Sequence, residues 1–271
     1  MASDSDRAQR GIQSIEVGGQ LLRALVHHGR PMALKDLARD ADMTAAKAHP
    51  YMVSFGRLGL IEQDRSSGHY QLGPLALQLG LISLQQADPV HVATPLIADL
   101  ARQIGQTTAI AVWGDRGATI VHIAESPAAV HVNMRHGTVF SLTDTASGRL
   151  FGAYLDAAVV RRLLDGERRA PAAPEPGMPQ RTAPPAWADF EPQLAKVRAH
   201  GLSRSEGEIV PGVNAMSAPV FDHTGAIVLA ITAIGPAGIF DTRWDSPTAL
   251  AIKACAEAAS QRLGYAPKRR A

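Results

Sequence analysis

The residues best equipped for chemistry in this sequence are its ten histidines, its one cysteine, and the serines and arginines set among glycines. Metal chemistry needs ligands that converge, as when two histidines four residues apart share a helix face. His91, His122, His131, His136, His200 and His223 show no such spacing and Cys255 has no second cysteine, so neither a metal centre nor a cofactor is expected. His27 and His28 are adjacent at the end of a helical stretch, where neighbouring side chains diverge and capping is the commoner role. Ser147-Gly148 is half of a nucleophile elbow, but GxSxG requires a glycine two residues before the serine, and that position is Thr145. Cys255, in an alanine-rich stretch, reads first as a small core residue and second as a redox sensor. What remains is binding chemistry. Lys47 can reach a phosphate or a guanine edge, and His49 can donate to either. Arg57, Arg65 and His69 have the charge and reach for phosphates. Arg149 follows Ala146-Ser147-Gly148 at an expected helix start, where free amides and a guanidinium together favour a carboxylate.

Positioning these groups falls to three segments. Over residues 11–73, Ile15, Gly19, Leu22, Leu25 and Val26 recur at helical spacing until Gly29 and Pro31 stop the helix. Leu34, Leu37, Ala38 and Ala41 mark a second helix, and Asp42-Met43-Thr44 turns the chain. A third helix presents Ala48, Tyr51, Met52, Phe55 and Leu58 inward, with Thr44, Ala45, Lys47, His49 and Ser54 outward. The period then changes to two around the turn Arg65-Ser66-Ser67-Gly68. This order is that of a winged helix-turn-helix, whose last helix sets its first residues against base edges in the major groove. Pro50 predicts a kink there or a later helix start, because an interior proline removes a backbone bond at a typical cost of ~3 kcal/mol.

Residues 74–88 predict a linker helix. Leu75, Leu77, Leu79, Leu81, Ile82 and Leu84 lie on more than one side, so it is expected to bury two faces, against both domains or against a second subunit. Residues 89–265 read as α/β: a helix at 93–104, strands at 107–113, 118–124 and 130–134, and a helix from Ser147 through Leu150, Phe151, Tyr154, Val160 and Leu164. His131, Asn133 and Arg135 share one side of the 130–134 stretch, a side read first as solvated. The proline-dense segment 170–185 predicts a surface loop. A helix at 187–200, strands at 202–206, 213–220 and 226–234, and a helix at 246–263 complete the domain.

The 271 residues suit two domains of roughly 150 residues each, and a hydrophobic fraction of 46% suits buried cores. The net charge of +2 does not by itself call for nucleic acid; residues 1–85 carry nine basic and eight acidic side chains, so DNA binding rests on placement. One cysteine excludes a disulfide framework and fits a reducing cytosol. With no apolar run near the ~20 residues of a membrane span and a polar start unlike a signal peptide, a cytoplasmic protein without membrane contact is expected. Two rivals stand beside a DNA-binding regulator: an α/β enzyme acting on a small organic acid with the helical segment used for dimerisation, and a sensor whose winged helix contacts protein.

Several phrases together resemble the IclR family of transcriptional regulators. They are Ser14-Ile15, Leu34-Lys35-Asp36-Leu37-Ala38 and Leu58-Gly59-Leu60-Ile61 in the first part; then Leu142-Thr143-Asp144-Thr145-Ala146-Ser147-Gly148-Arg149 and Val197-Arg198-Ala199-His200-Gly201-Leu202; then the run from Gly207-Glu208-Ile209-Val210-Pro211-Gly212 through Asp222; and Gly235-Pro236. Their order and spacing carry the resemblance. It implies an α+β two-domain chain: a winged helix-turn-helix, a linker helix, and a GAF-like α/β effector-binding domain with a mostly antiparallel sheet. It also implies a repressor, an activator or both, without catalysis, acting as a homodimer or dimer of dimers on a palindromic double-stranded operator. The resemblance puts Gly148, Arg149, Ser205, Ala215, Thr232 and Ile234 on the walls of a cup for a small organic acid. Members that bind very small keto acids carry more polar groups at these positions. Ser205, Ala215 and Ile234 therefore imply an effector with an apolar body, an aromatic one being a candidate, and one acidic end. Two departures stand out. The recognition helix has Ala46-Lys47 and Pro50 where the family usually has Ser-Thr and then Arg, and the loop at 170–185 looks like a variable insertion.

Overall fold

The computed structural model describes residues 11–115, 117–129, 131–169 and 183–266. The chain divides between Ala87 and Asp88 into two compact units. In the first, α1 (Gln13–His28), α2 (Leu34–Asp40) and α3 (Ala45–Leu58) precede the antiparallel ribbon β1 (Ile61–Gln63) and β2 (Tyr70–Leu72), and α4 (Pro74–Gln86) follows. Leu21, Leu25, Leu37, Ala38, Ala48, Met52, Ile61 and Tyr70 form one core. Gly29 adopts φ 62° after α1, a conformation glycine reaches without strain, and its amide caps Leu25 O at 3.0 Å. Gly18 lets α1 approach α3, since a Cβ there would sit 2.8 Å from the Tyr51 ring.

The inward stripe of α1 is Gly18, Leu21, Ala24 and Leu25; Ile15 and Val26, expected to share it, are exposed, as is Leu58 of α3. The third helix runs from Ala45 through Pro50 to Leu58, capped by Thr44, so the late start expected as one alternative is absent. No residue of α4 is buried in the single chain, and Leu77, Leu79, Leu81, Ile82 and Leu84 are exposed, so of the two covers expected for its faces, packing within the chain is not the one found.

The second unit runs α5 (Pro89–Ile104), β3 (Thr107–Gly114), β4 (Gly117–Ala124), β5 (Val139–Phe140), α6 (Ala146–Tyr154), α7 (Ala157–Arg169), α8 (Trp187–His200), β6 (Ser203–Glu206), β7 (Val213–Phe221), β8 (Ile227–Pro236) and α9 (Pro247–Arg262). Among the described residues the strands form one antiparallel sheet, ordered β5-β4-β3-β8-β7-β6. Alternation along β7 and β8 sends Met216, Ala218, Val220, Leu229 and Ile231 into a core with α5 and α9. A second core, on the other face, joins Ala109, Ala111 and Ala230 to Phe151, Leu164, Phe190 and Leu194 of α6, α7 and α8. Local chemistry fixes the helix starts: Asp88 and Ser246 accept backbone amides, each followed by proline at the first helical position.

Two sequence expectations need correction here. Residues 131–134 form no strand, and the sheet edge is instead the two-residue β5, so His131, Asn133 and Arg135 line no strand face and are exposed. The helix expected from Ser147 through Leu164 is two helices, because Asp156 accepts the Ala158 amide at 2.8 Å and starts α7 afresh. Most of the proline-dense segment 170–185 lies outside the described residues.

Candidate functional site

The outer face of α3 is open. Ala48 and Met52 turn inward, leaving Thr44, Ala45, Lys47, His49, Ser54 and Arg57 exposed. Thr44 Oγ1 accepts the Lys47 amide at 3.3 Å and so fixes the helix start. The Ser54 hydroxyl donates back to Pro50 O at 3.0 Å. Of the wing residues, Arg65 is exposed and His69 half-buried. Asp64 orders the wing turn: Oδ1 accepts from the Ser66 hydroxyl at 2.6 Å and the Ser67 amide at 2.7 Å. These bonds, that of the Ser66 hydroxyl first, hold the Asp64 carboxyl well below the usual range. Lys35 and Arg39 of α2 join Thr44 and Ala45 around a depression of about 540 Å³ at the start of α3. The sequence reading passed over both, although Lys35 lies in the quoted Leu34–Ala38 phrase.

The start of α6 is built quite differently. A Cβ on Gly148 would lie 1.9 Å from Ser141 O, so only glycine fits. Its amide is spent on the Thr145 cap at 2.8 Å, which removes it from the free amides expected there. Arg149 is buried, donating through Nη1 to Thr143 O at 2.8 Å and through Nη2 to Arg204 O. Nη2 also meets Glu208 Oε2 at 2.6 Å, and the same oxygen accepts from Ser205 Oγ at 3.0 Å. Strand register sets Ser205, Ala215 and Ile234 in one row across the sheet, and Ser203, Ser217 and Thr232 in the next. The α6 helix covers that face. Ser147 Oγ lies 2.9 Å from Thr232 Oγ1 and 3.3 Å from Ser217 Oγ, and Ser217 is 2.6 Å from Thr232. Ser203 Oγ, fully buried beside them, is without a hydrogen-bond partner among the described residues. A buried hydroxyl left unpaired costs roughly 1–3 kcal/mol, so this pocket of hydroxyls is an incompletely satisfied polar site. Ser147 bonds only hydroxyls, which are too weakly basic to take its proton, so it is no nucleophile.

The structure thus brings Arg149, Ser205, Ala215, Thr232 and Ile234 to one side of the sheet. A family profile described as the IclR helix-turn-helix domain matches residues 14–65, and one described as bacterial transcriptional regulator IclR, C-terminal, matches residues 82–261. The chain belongs to the IclR family. It is 31% identical over 257 residues to the glycerol operon regulatory protein of Streptomyces griseus, covering 94% of this chain and 98% of that protein. The transcriptional repressor IclR of Escherichia coli K12 is 24% identical over 251 residues, covering 91% and 88%. The crystal structure of Pseudomonas aeruginosa HmgR matches with a TM-score of 0.82 and 35% identity, covering 94% of this chain and 99% of that one. As an IclR-family member the chain is a transcriptional regulator with a DNA-binding helix-turn-helix, and the enzyme reading falls with that assignment.

Within this IclR-family α/β domain, sequence reasoning missed Glu208, Ser203, Ser217 and the half-buried Trp113, whose ring lies 5.4 Å from that of Phe151. Ser217 and Trp113 sit at the period-2 positions that share a face with Ala215 and Ala109, a signal that was available. A separate cavity of about 400 Å³, lined among others by Tyr154, Phe221, Lys253 and Tyr265, lies at the other end of α6 and shares no residue with the Arg149 subsite. No helix among the described residues is long and apolar enough to cross a membrane.

Proposed function

We propose that this regulator binds a palindromic operator as a homodimer, or a dimer of dimers, and that a small organic acid bound in the α/β domain changes that binding. Thr44, Ala45, Lys47, His49 and Ser54 read base edges, while Arg57, Arg65 and His69, with Lys35 and Arg39, hold phosphates. The run of exposed apolar side chains on α4 supports a second copy as its cover. The protein works in the cytoplasm, where a bacterial operator is found.

The observation that carries the effector reading is the convergence of Arg149 and Ser205 on a single carboxylate, with Ala215 and Ile234 in the same strand row and hydroxyls in the next. A buried guanidinium and a hydroxyl aimed at one oxygen are what an acid end requires, and the apolar neighbours suit an apolar body. Effector binding shifts the population of arrangements of two recognition helices, with a coupling of typically 1–3 kcal/mol.

Calorimetric titration of the full chain with benzoate, phenylacetate, pyruvate and glyoxylate tests the reading. Binding of an aromatic acid that Arg149→Met weakens is expected. Binding confined to the glyoxylate-sized acids contradicts the apolar-body assignment.

A further inference from the structure

We infer that Glu208 is a built-in competitor: its carboxylate occupies the acid subsite, and an effector binds by displacing it. The inference rests on the effector reading above and adds how that site is regulated. Three observations carry it. First, the geometry of the pair is that of a bound acid. One oxygen of Glu208 takes a charge-assisted bond from the buried Arg149 at 2.6 Å and a second bond from Ser205 at 3.0 Å. An incoming carboxylate would need these same two donors, and neither can serve both acids in full.

Second, the partners differ in how firmly they are held. The Arg149 side chain is 10% exposed, whereas that of Glu208 is 48% exposed. Arg149 keeps the Thr143 and Arg204 carbonyls whatever happens to Glu208. The acid can therefore leave into solvent while the guanidinium stays in place, as exchange requires. Breaking an ion pair costs most when both members are enclosed, and this one leaves half of its anion in water.

Third, Glu208 sits on a segment able to release it. Residues 207–212 are Gly-Glu-Ile-Val-Pro-Gly, bounded by Gly207 at φ 74° and Gly212 at φ 82°. Glu208 carries the only polar side chain of the six, so its carboxylate is the one polar side-chain tie this segment can make. The segment's ends stay pinned by backbone bonds from Gly207 N to Val213 O at 3.0 Å and from Ala237 N to Gly212 O at 2.8 Å. Exchange thus swings a short arm and leaves the β6–β7 ladder intact.

An internal ligand lowers apparent affinity by the fraction of time it leaves the site free. If Glu208 holds the subsite nine-tenths of the time, external acids bind about tenfold more weakly than the bare site allows. Removing Glu208 therefore tightens acid binding, whereas removing a merely structural partner leaves Arg149 less well placed and weakens it. The sign separates the two roles.

The test titrates full-length wild type, Glu208→Gln and Glu208→Ala with benzoate and acetate at constant ionic strength, with benzamide as the neutral probe. The expected result is a dissociation constant for benzoate lowered about tenfold or more in both variants, with no gain for benzamide. Equal or weaker benzoate binding in both variants, where wild type binds it, overturns the inference and leaves the effector reading standing. If no protein of the three binds either acid, both fall. Should the alanine variant be unstable, its thermal midpoint supplies a second measurement. Acetate at tens of millimolar should raise it more than equal chloride does, and by more than it raises that of wild type; no difference between the two salts counts against the inference.

Discussion

The outer face of α3 and the start of α6, the two surfaces proposed to bind, each combine a helix N-terminus with nearby cations, yet they are built on opposite terms. On α3 the side chains that could touch DNA are exposed, and Lys47, His49 and Arg57 make no side-chain hydrogen bond or ion pair among the described residues. At α6 almost every polar group is buried and committed: Thr145 to the Gly148 amide, Ser147 to Thr232, Arg149 to two carbonyls and Glu208. A surface that must meet a partner already rich in charge can leave its cations in water until contact, because released counterions supply the binding free energy. A site that must hold a small molecule cannot, since its few donors have to be in place beforehand.

That contrast predicts that substitutions at α6 cost stability and those at α3 cost DNA affinity. The largest effect expected is at Gly148. Its Ala variant forces a methyl against Ser141 O, and the second unit should lose about 2–4 kcal/mol, read by denaturant unfolding. Next is Glu208→Ala, which leaves a buried guanidinium short of its acid; a loss of about 1–2 kcal/mol is expected, reduced because Glu208 is half in solvent. Lys47→Ala should change unfolding free energy by less than about 0.5 kcal/mol. It should still weaken binding to the gene's upstream DNA and lower the slope of log affinity against log salt by about one. A stability loss for Lys47→Ala equal to that for Gly148→Ala would break the comparison.

The smallest effect concerns Cys255 in α9. Burial, with a lesser contribution from the charge of Asp99, pushes its thiol up to about 11. Its folded-state value lies above the ordinary 9.0, so the stability tied to the protonated thiol is intact below that value and lost as pH rises through 11. At pH 8 the thiolate fraction is on the order of a hundredfold below that of a free thiol, and reaction with a disulfide reagent should be correspondingly slow. Rapid labelling at pH 8 in the folded protein would restore the redox-sensor reading.

Local chemistry was legible in the sequence, and long-range commitment was not. The strands at 202–206 and 213–220 were legible from local pattern, but Ser205 and Ala215 were put on one wall only by the family resemblance, because their shared face depends on the register between the strands. The winged helix was readable because each of its stops is a local event, such as Gly29, Thr44 or the turn after Asp64. The tie from Arg149 to Glu208 spans 59 residues and joins helix α6 to the loop after β6, so no spacing rule could announce it. Apolar periodicity does not separate a core stripe from an exposed apolar face. Ile15, Val26 and Leu58 match a core stripe yet are exposed, and the leucines of α4 are exposed in the single chain as well. The 130–134 segment alternates as a strand does, but no strand of the sheet takes it as a neighbour. The break before α7 did have a signal, the cap at Asp156, which was read past because Val160 and Leu164 continued the helical spacing.

The most direct test of ligand-coupled DNA binding is fluorescence anisotropy of a labelled duplex from the gene's own upstream region, measured with and without each carboxylic acid that titrates onto the protein. The account predicts binding that weakens steeply with salt and an operator affinity shifted about 5- to 150-fold by the acid, with the shift lost in Arg149→Met. An affinity identical with and without a bound acid, in a protein that binds both acid and duplex, would contradict it.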